Sequence, residues 1–424
     1  MKYLLEVCVD SLESARRAAA AGADRLELCA DLLVGGTSPS PFLIRQVLDT
    51  VNIPVNVLLR PRFGDFCYTP EEKAVLLDEI DSCRELGVHG VVIGALLPDG
   101  SLDADFLREC IAHAGPLHRT LHRCFDVCRD AAEALEQAAA LGFDTILTSG
   151  QAAAAPEGAA LLTQLVRQAG GRLAILAGSG VNAGNIPALA AQTGVRQFHL
   201  SGKHAEPGPM QFKRPGVPMG LPMADEFTRQ YTDPAAIRAA RAALDKAAGL
   251  PPLATPEGVV IRRAGPADAA GVLACLARLG GETDNLTFGA GGPGYSAEAE
   301  RAFLRGMAQQ DRACMMVAQA EDGRIVGTAS LSPAGGARMA HRGDLSVAVL
   351  RDFWHRGLGA ALMAQLIRRA QAADFTVLEL EVRADNARAI ALYQRLGFVR
   401  TGDLPRFFRI DGAYVDAVRM QLDL

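Results

Sequence analysis

Two glycines spaced two residues apart carry the clearest chemistry in this chain. Leu345-Ser-Val-Ala-Val349 alternates like a strand, and after six further residues Arg356-Gly-Leu-Gly-Ala-Ala-Leu-Met363 starts what reads as a helix. Gly357 and Gly359 let the backbone approach a ligand closely. The first N–H groups of such a helix have no partner within it, and together with the helix dipole and Arg356 they favour an anion. This arrangement suits a diphosphate. Taken alone, the same pair reads equally well as a structural turn.

A second constellation lies in the first half. Polar and reactive residues recur where short apolar runs end: Glu6 and Cys8; Glu27 and Cys29; Arg60 and Arg62, then Asp65 and Cys67; His122, Arg123 and Asp126; Ser149; Gly178 and Gly180; and His199 followed by Ser201. Gathered on one rim, the arginines, His122 and the carboxylates suit a small anionic ligand. The glycine and serine turns suit a phosphate. Taken singly, each charged residue reads as a structural salt bridge. The convergence of the run ends is what argues for a site.

The elements that must position these residues fall into two halves. Strand-like runs at Tyr3–Val9, Arg25–Ala30, Pro54–Arg60, Gly90–Leu96, Arg119–Phe125, Thr145–Ser149, Leu173–Ala177 and Gln197–Leu200 alternate with helical runs such as Ser11–Ala21, Pro41–Thr50, Pro70–Leu86, Ala131–Leu141 and Gly158–Gln168. Ser11 and Thr69 read as N-caps, and Thr69 with Glu72 forms a capping box. Gly22, Gly87, Gly115 and Gly142 read as helix stops. Eight such units predict a (β/α)8 TIM barrel over residues 1–247, with a doubly wound sheet as the alternative.

Residues 248–257, rich in Pro and Gly, read as a linker. Residues 258–424 change to an α+β pattern. Strands are expected at Gly258–Arg263, Leu345–Val349 and Val377–Val382, and helices at Pro266–Ala277, Gly357–Ala370 and Ala387–Leu396. Hairpins are expected through Asp322-Gly323 and Asp411-Gly412.

Composition narrows the function classes. With 49% apolar and 21% charged residues the chain can bury full cores, and a net charge of −5 without a basic block argues against nucleic acid as a partner. No apolar stretch approaches the roughly 20 residues of a membrane span. The N-terminal apolar run is too short for a signal peptide. A cytoplasmic location is therefore expected, with no membrane partner. Its nine cysteines should be reduced thiols, and none falls in a CxxC pair.

The glycine loop is followed by Asn386-x-x-Ala389-x-x-Leu392-Tyr393-x-x-x-Gly397-Phe398. Together the two segments resemble the GNAT acetyltransferase superfamily over residues 258–424. The resemblance implies an α+β GNAT acyl-CoA N-acyltransferase domain that uses acetyl-CoA. Backbone groups of Val347 and Val349 would pair with the pantetheine arm, and Arg356, Gly357, Leu358, Gly359 and Ala360 would hold the diphosphate. Asn386 would touch the pantetheine or the acceptor, and Tyr393 would protonate the departing thiolate. The implied acceptor is a small-molecule amine, a protein N-terminus or a lysine. One departure stands out: Trp354 occupies the position that is often Gln or Arg in the loop motif. Asp344, Glu379 and Glu381 read as solvated carboxylates, and water can serve as the base.

The pieces GADRLELCADLLVGGTSPS, LRPRFGDFCYT, HRCFD, LTSGQ and GSGVN resemble the CutC family over residues 1 to about 245. That resemblance implies a cytoplasmic (β/α)8 barrel tied by its family name to copper homeostasis. Copper(I) favours thiolate ligands, and Cys29 and Cys67 match the family pattern, making them the metal candidates. The alternative is that they are small hydrophobes filling strand positions. Three readings stay open: an N-acetyltransferase fused to a barrel with its own small anionic metabolite; a copper(I)-handling barrel with a regulatory transferase; and a barrel that presents the transferase to partners. A homo-oligomer is a further expectation.

Overall fold

A computed structural model describes residues 3–424 apart from 52, 213, 215, 218–224, 226, 249–255, 309 and 311. The chain divides into two compact units, Met1–Gly249 and Leu250–Leu424. Most of the expected linker lies outside the described residues.

In the first unit eight parallel strands close into a barrel in sequence order. They are β1 (Leu4–Val9), β2 (Arg25–Leu28), β3 (Val55–Leu58), β4 (Gly90–Ile93), β5 (His118–Leu121), β6 (Thr145–Thr148), β7 (Ala174–Ala177) and β8 (Gln197–Leu200). The crossing helices are α1 (Leu12–Ala20), α2 (Pro41–Leu48), α3 (Pro70–Leu86), α4 (Ala104–Ala114), α5 (Ala131–Leu141), α6 (Ala159–Ala169) and α7 (Ile186–Thr193). The closed barrel excludes the doubly wound alternative. Local signals set the helix ends: Ser11 caps α1, the Thr69–Glu72 capping box starts α3, and Gly87 ends α3 at φ 74°.

Successive strand residues face opposite sides. Leu5, Val7 and Val9 of β1, with Leu26 and Leu28 of β2, join the core beneath the helices. The alternate residues point inward. That interior is unusually polar, because β1 register sets Glu6 beside Arg25 on one side and His199 on the other, and Cys8 beside Glu27. A hairpin of β9 (Lys203–Pro207) and β10 (Thr228–Thr232) follows β8, and α8 (Pro234–Ala247) completes the unit. Arg241 of α8 is buried between Asp24 and Asp245.

The second unit is a seven-stranded sheet in the order β11-β12-β13-β14-β15-β17-β16. These strands are β11 (Val259–Arg263), β12 (Cys314–Ala320), β13 (Ile325–Pro333), β14 (Arg342–Val349), β15 (Val377–Arg383), β16 (Val399–Ile410) and β17 (Ala413–Asp423). The helices are α9 (Ala269–Glu282), α10 (Ala297–Ala308), α11 (Leu358–Ala372) and α12 (Ala387–Arg395). The helix expected over Pro266–Ala277 is instead a short 3-10 turn, Pro266–Asp268, running into α9. Asp411 and Gly412 turn the last hairpin with φ of 47° and 85°, as an Asp-Gly turn requires.

One pairing in this sheet is parallel and short. β14 meets β15 only at Arg342–Asp344 against Val377–Glu379. Beyond Asp344 the two strands part, and α11 begins past the open end.

Candidate functional sites

In the second unit the wedge between β14 and β15 exposes backbone. The Leu350 N–H donates to Val326 O across to β13 at 3.0 Å. Backbone groups alternate sides along a strand, so those of Val347 and Val349 turn toward the wedge. The Val349 carbonyl accepts from the indole Nε1 of Trp354 at 2.6 Å. The Arg388 guanidinium lies 3.5 Å from the centre of the Trp354 ring and holds the indole from the other side.

At the end of the wedge Gly357 precedes α11 as its N-cap residue at φ 80°, a conformation that favours glycine, and no side chain caps the helix. A Cβ on Gly357 would meet nothing within 4 Å, so the space over the loop is open. The amides of Leu358, Gly359 and Ala360 are the first of the helix. Arg356 donates to Glu257 O at 3.2 Å and is exposed.

Tyr393 of α12 is buried against Phe398. Burial pushes its hydroxyl up to about 12, so it holds its proton at neutral pH. Asn386 Oδ1 caps α12 by accepting from the Ala389 N–H at 3.1 Å. Of the three carboxylates, Glu379 pairs with Arg342 and Glu381 with Arg419. Asp344 has no such partner among the described residues, and partial burial, with Glu379 and Glu381 close by, raises it.

In the barrel a cavity of about 360 Å³ opens at the carboxyl ends of the strands. Glu27, Arg60, His122, Arg123, Gly180 and Ser201 of the expected set line it, joined by Cys8, Phe66, Ser179 and His199. Glu6 sits one layer deeper. Burial opposes its charge, but Arg25 and a 2.9 Å contact with His199 Nδ1 overcome this and hold the carboxyl down at about 2. Desolvation opposes the charge of half-buried His199, yet Glu27, Cys8 and Glu6 keep it protonated well above its usual range. Burial pushes Glu27 up. Burial and the nearby Arg60 charge push His122 down to about 3, so its ring is neutral.

Other expected residues are placed elsewhere. Arg62 pairs with Asp65 at 3.0 Å and with Glu72 at 2.6 Å, and neither Arg62 nor Asp65 lines the cavity. Asp126 accepts from Arg123 at 2.7 Å and from the Ser149 N–H at 3.0 Å, bracing the β5 and β6 ends. Gly178 is a packing glycine: a Cβ there would meet Leu147 at 2.6 Å. The metal candidates Cys29 and Cys67 fall in different clusters. Cys29 lies 3.7 Å from Cys8, sulfur to sulfur, in a small inner cluster, whereas Cys67 packs on the helix-side core. Among the described residues the group able to surround a metal ion is Cys8, Glu27 and His199, within 4.8 Å of one another. The partners of His199, Glu6 and Glu27, lie far away in the chain and meet it only across the closed barrel.

The fold and sites thus define a (β/α)8 barrel with a polar mouth, joined to an α+β unit with a split sheet and a glycine-turn helix start. Residues 3–204 match the CutC family, and residues 284–398 match the acetyltransferase (GNAT) family. A CutC family protein of Chromobacterium violaceum is 45% identical over 247 residues, 58% of this chain and 100% of that protein. One from Pasteurella multocida is 45% identical over 242 residues, 57% of this chain and 99% of that protein. The chain belongs to the CutC family, and its second unit is a GNAT acetyltransferase domain. Among solved structures, the putative copper homeostasis protein CutC from Streptococcus agalactiae is similar at 32% identity and a TM-score of 0.46, over 47% of this chain and 98% of that one. An acetyltransferase of the GNAT family from Streptococcus pneumoniae is similar at 32% identity and a TM-score of 0.38, over 39% of this chain and 99% of that one. Among the described residues no helix is long and apolar enough to cross a membrane.

Proposed function

We propose that residues 258–424 catalyse transfer of the acetyl group of acetyl-CoA to an amine nitrogen, on a small molecule, a protein N-terminus or a lysine. The observation that carries this reading is the β14–β15 wedge ending at the uncapped start of α11. The Leu358, Gly359 and Ala360 amides, with Gly357 and Arg356, hold the diphosphate, and Val347 backbone holds the pantetheine arm. Trp354 swings off the Val349 carbonyl as the arm enters. The amine nitrogen bonds to the thioester carbon, the C–S bond breaks, and Tyr393 gives its hydroxyl proton to the departing sulfur. The surplus amine proton leaves to water. Acetyl-CoA-dependent thiol release across a panel of amines tests this. Tyr393→Phe should lower kcat by about 10²-fold or more with little change in KM for acetyl-CoA; turnover within a few-fold of wild type would remove Tyr393 from the acid role.

A second reading concerns the barrel and rests on the Cys8–Cys29 pair. Two buried thiols 3.7 Å apart beside His199 fit the soft donors that copper(I) prefers. Cys8 and Cys29 would hold the ion, and the chemistry is binding. Metal entry must displace the thiol protons, since Cys8 is raised by its contact with Cys29 and by burial. Copper(I) titration of a Cys8→Ser, Cys29→Ser variant should show lost affinity, and unchanged affinity removes the reading. Free thiols at all nine cysteines suit the cytoplasm.

A further inference from the structure

The barrel mouth contains a positive charge held by backbone carbonyls and the Phe66 ring, with no carboxylate beside it among the described residues. Arg60 follows the end of β3 and is 8% exposed. Its guanidinium donates to backbone carbonyls of Val34 at 3.4 Å, Gly36 at 3.2 Å and Gly64 at 2.7 Å, and its Nε has no protein partner. No carboxylate pairs with it among the described residues. A buried cation without a counter-ion is costly, and this one lines a cavity.

His122, at the end of β5, adds a second donor. Its Nδ1 accepts from the Cys124 N–H at 3.1 Å. A ring nitrogen that accepts from a backbone N–H carries no proton, so in the neutral ring the proton sits on Nε2. That Nε2 is buried and has no protein partner. Across the cavity Glu27 Oε1 is likewise unpartnered. The three residues that carry these orphaned polar atoms, Arg60, His122 and Glu27, line the same cavity of about 360 Å³.

We propose that the barrel mouth binds a small organic oxyanion, a carboxylate or a phosphate ester, with its anionic group on Arg60 and a further oxygen accepting from His122 Nε2. Glu27 takes a hydroxyl or amine hydrogen of the same ligand. The volume is that of a metabolite-sized site. The inference does not rest on the transferase reading and needs no metal.

The test is calorimetric titration of the full chain, stripped of metal by a chelator and held at constant ionic strength, with inorganic phosphate in one arm and oxalate in the other. Saturable binding is expected in at least one arm, and that arm identifies the anion class. Arg60→Met should weaken it at least tenfold. Because Arg60 also ties three loop carbonyls, His122→Asn is the second variant: its Oδ1 can keep the bond to Cys124 N–H while the outward donor is lost. It should weaken binding about fivefold or more with the melting temperature held. No saturable binding in either arm, binding that appears only when copper is restored, or wild-type affinity in the folded His122→Asn protein would each overturn the proposal.

Discussion

Glu6 anchors a buried charge network in the barrel. It is fully buried and joins Arg25 and His199 across three adjacent strands. Removing one partner of a buried ion pair costs about 3–5 kcal/mol, so Glu6→Gln should destabilise the barrel by that order in urea denaturation. Its carboxyl is held at about 2 against an ordinary 4.5. The stability it provides is therefore complete above pH 4.5 and is lost as pH falls from there toward 2. His122 adds to the same acid limb: its ring is held neutral down to about 3 against 6.5, so its contribution fades as pH falls from 6.5. Residue types at strand ends foretold Glu27, Arg60 and His122 as cavity residues. They did not foretell that Cys8, rather than Cys67, would face Cys29. That depends on register between β1 and β2, which spacing along the chain does not encode.

At the scale of elements, the start of α11 is the decisive feature. Glu is well tolerated in the first turn of a helix, where it complements the dipole. Ala360→Glu should thus leave the melting temperature unchanged or raised, while its carboxylate repels a diphosphate at the same amides. We expect acetyl-CoA affinity to fall at least tenfold; wild-type affinity in the folded variant would dissociate the loop from diphosphate binding. Elements with strong local signals were legible: α3 runs Pro70–Leu86, as read from its capping box and glycine stop, and α5 runs Ala131–Leu141, ending at the glycine stop read for it. The barrel strands were read too long, to Arg60 and Phe125, whereas β3 and β5 end at Leu58 and Leu121. Apolar character continues past the last ladder bond, because the residues that leave the sheet still pack inside the mouth. The β9–β10 hairpin went unread because Lys203–Pro207 and Thr228–Thr232 are mostly polar and half-exposed, with no apolar face to alternate.

For the whole molecule, two separate cores predict two thermal transitions. A ligand that binds only the folded state raises the transition of its own unit by mass action. Saturating acetyl-CoA should raise one calorimetric transition, that of the GNAT unit, by several degrees and leave the barrel transition in place. A shift of the barrel transition alone would place the acetyl-CoA site in the wrong unit. The division into barrel and α+β halves was legible from the change in periodicity near residue 248, since eight strand–helix repeats and a hairpin-rich pattern cannot share one layer arrangement.

The most direct test of the account is calorimetric titration of acetyl-CoA into the full chain, with emission of Trp354, the single tryptophan, followed in parallel. The account predicts saturable binding with a dissociation constant between about 1 µM and 1 mM, and a change in emission as the indole leaves the Val349 carbonyl. A folded protein that shows neither saturable heat nor altered emission would contradict it.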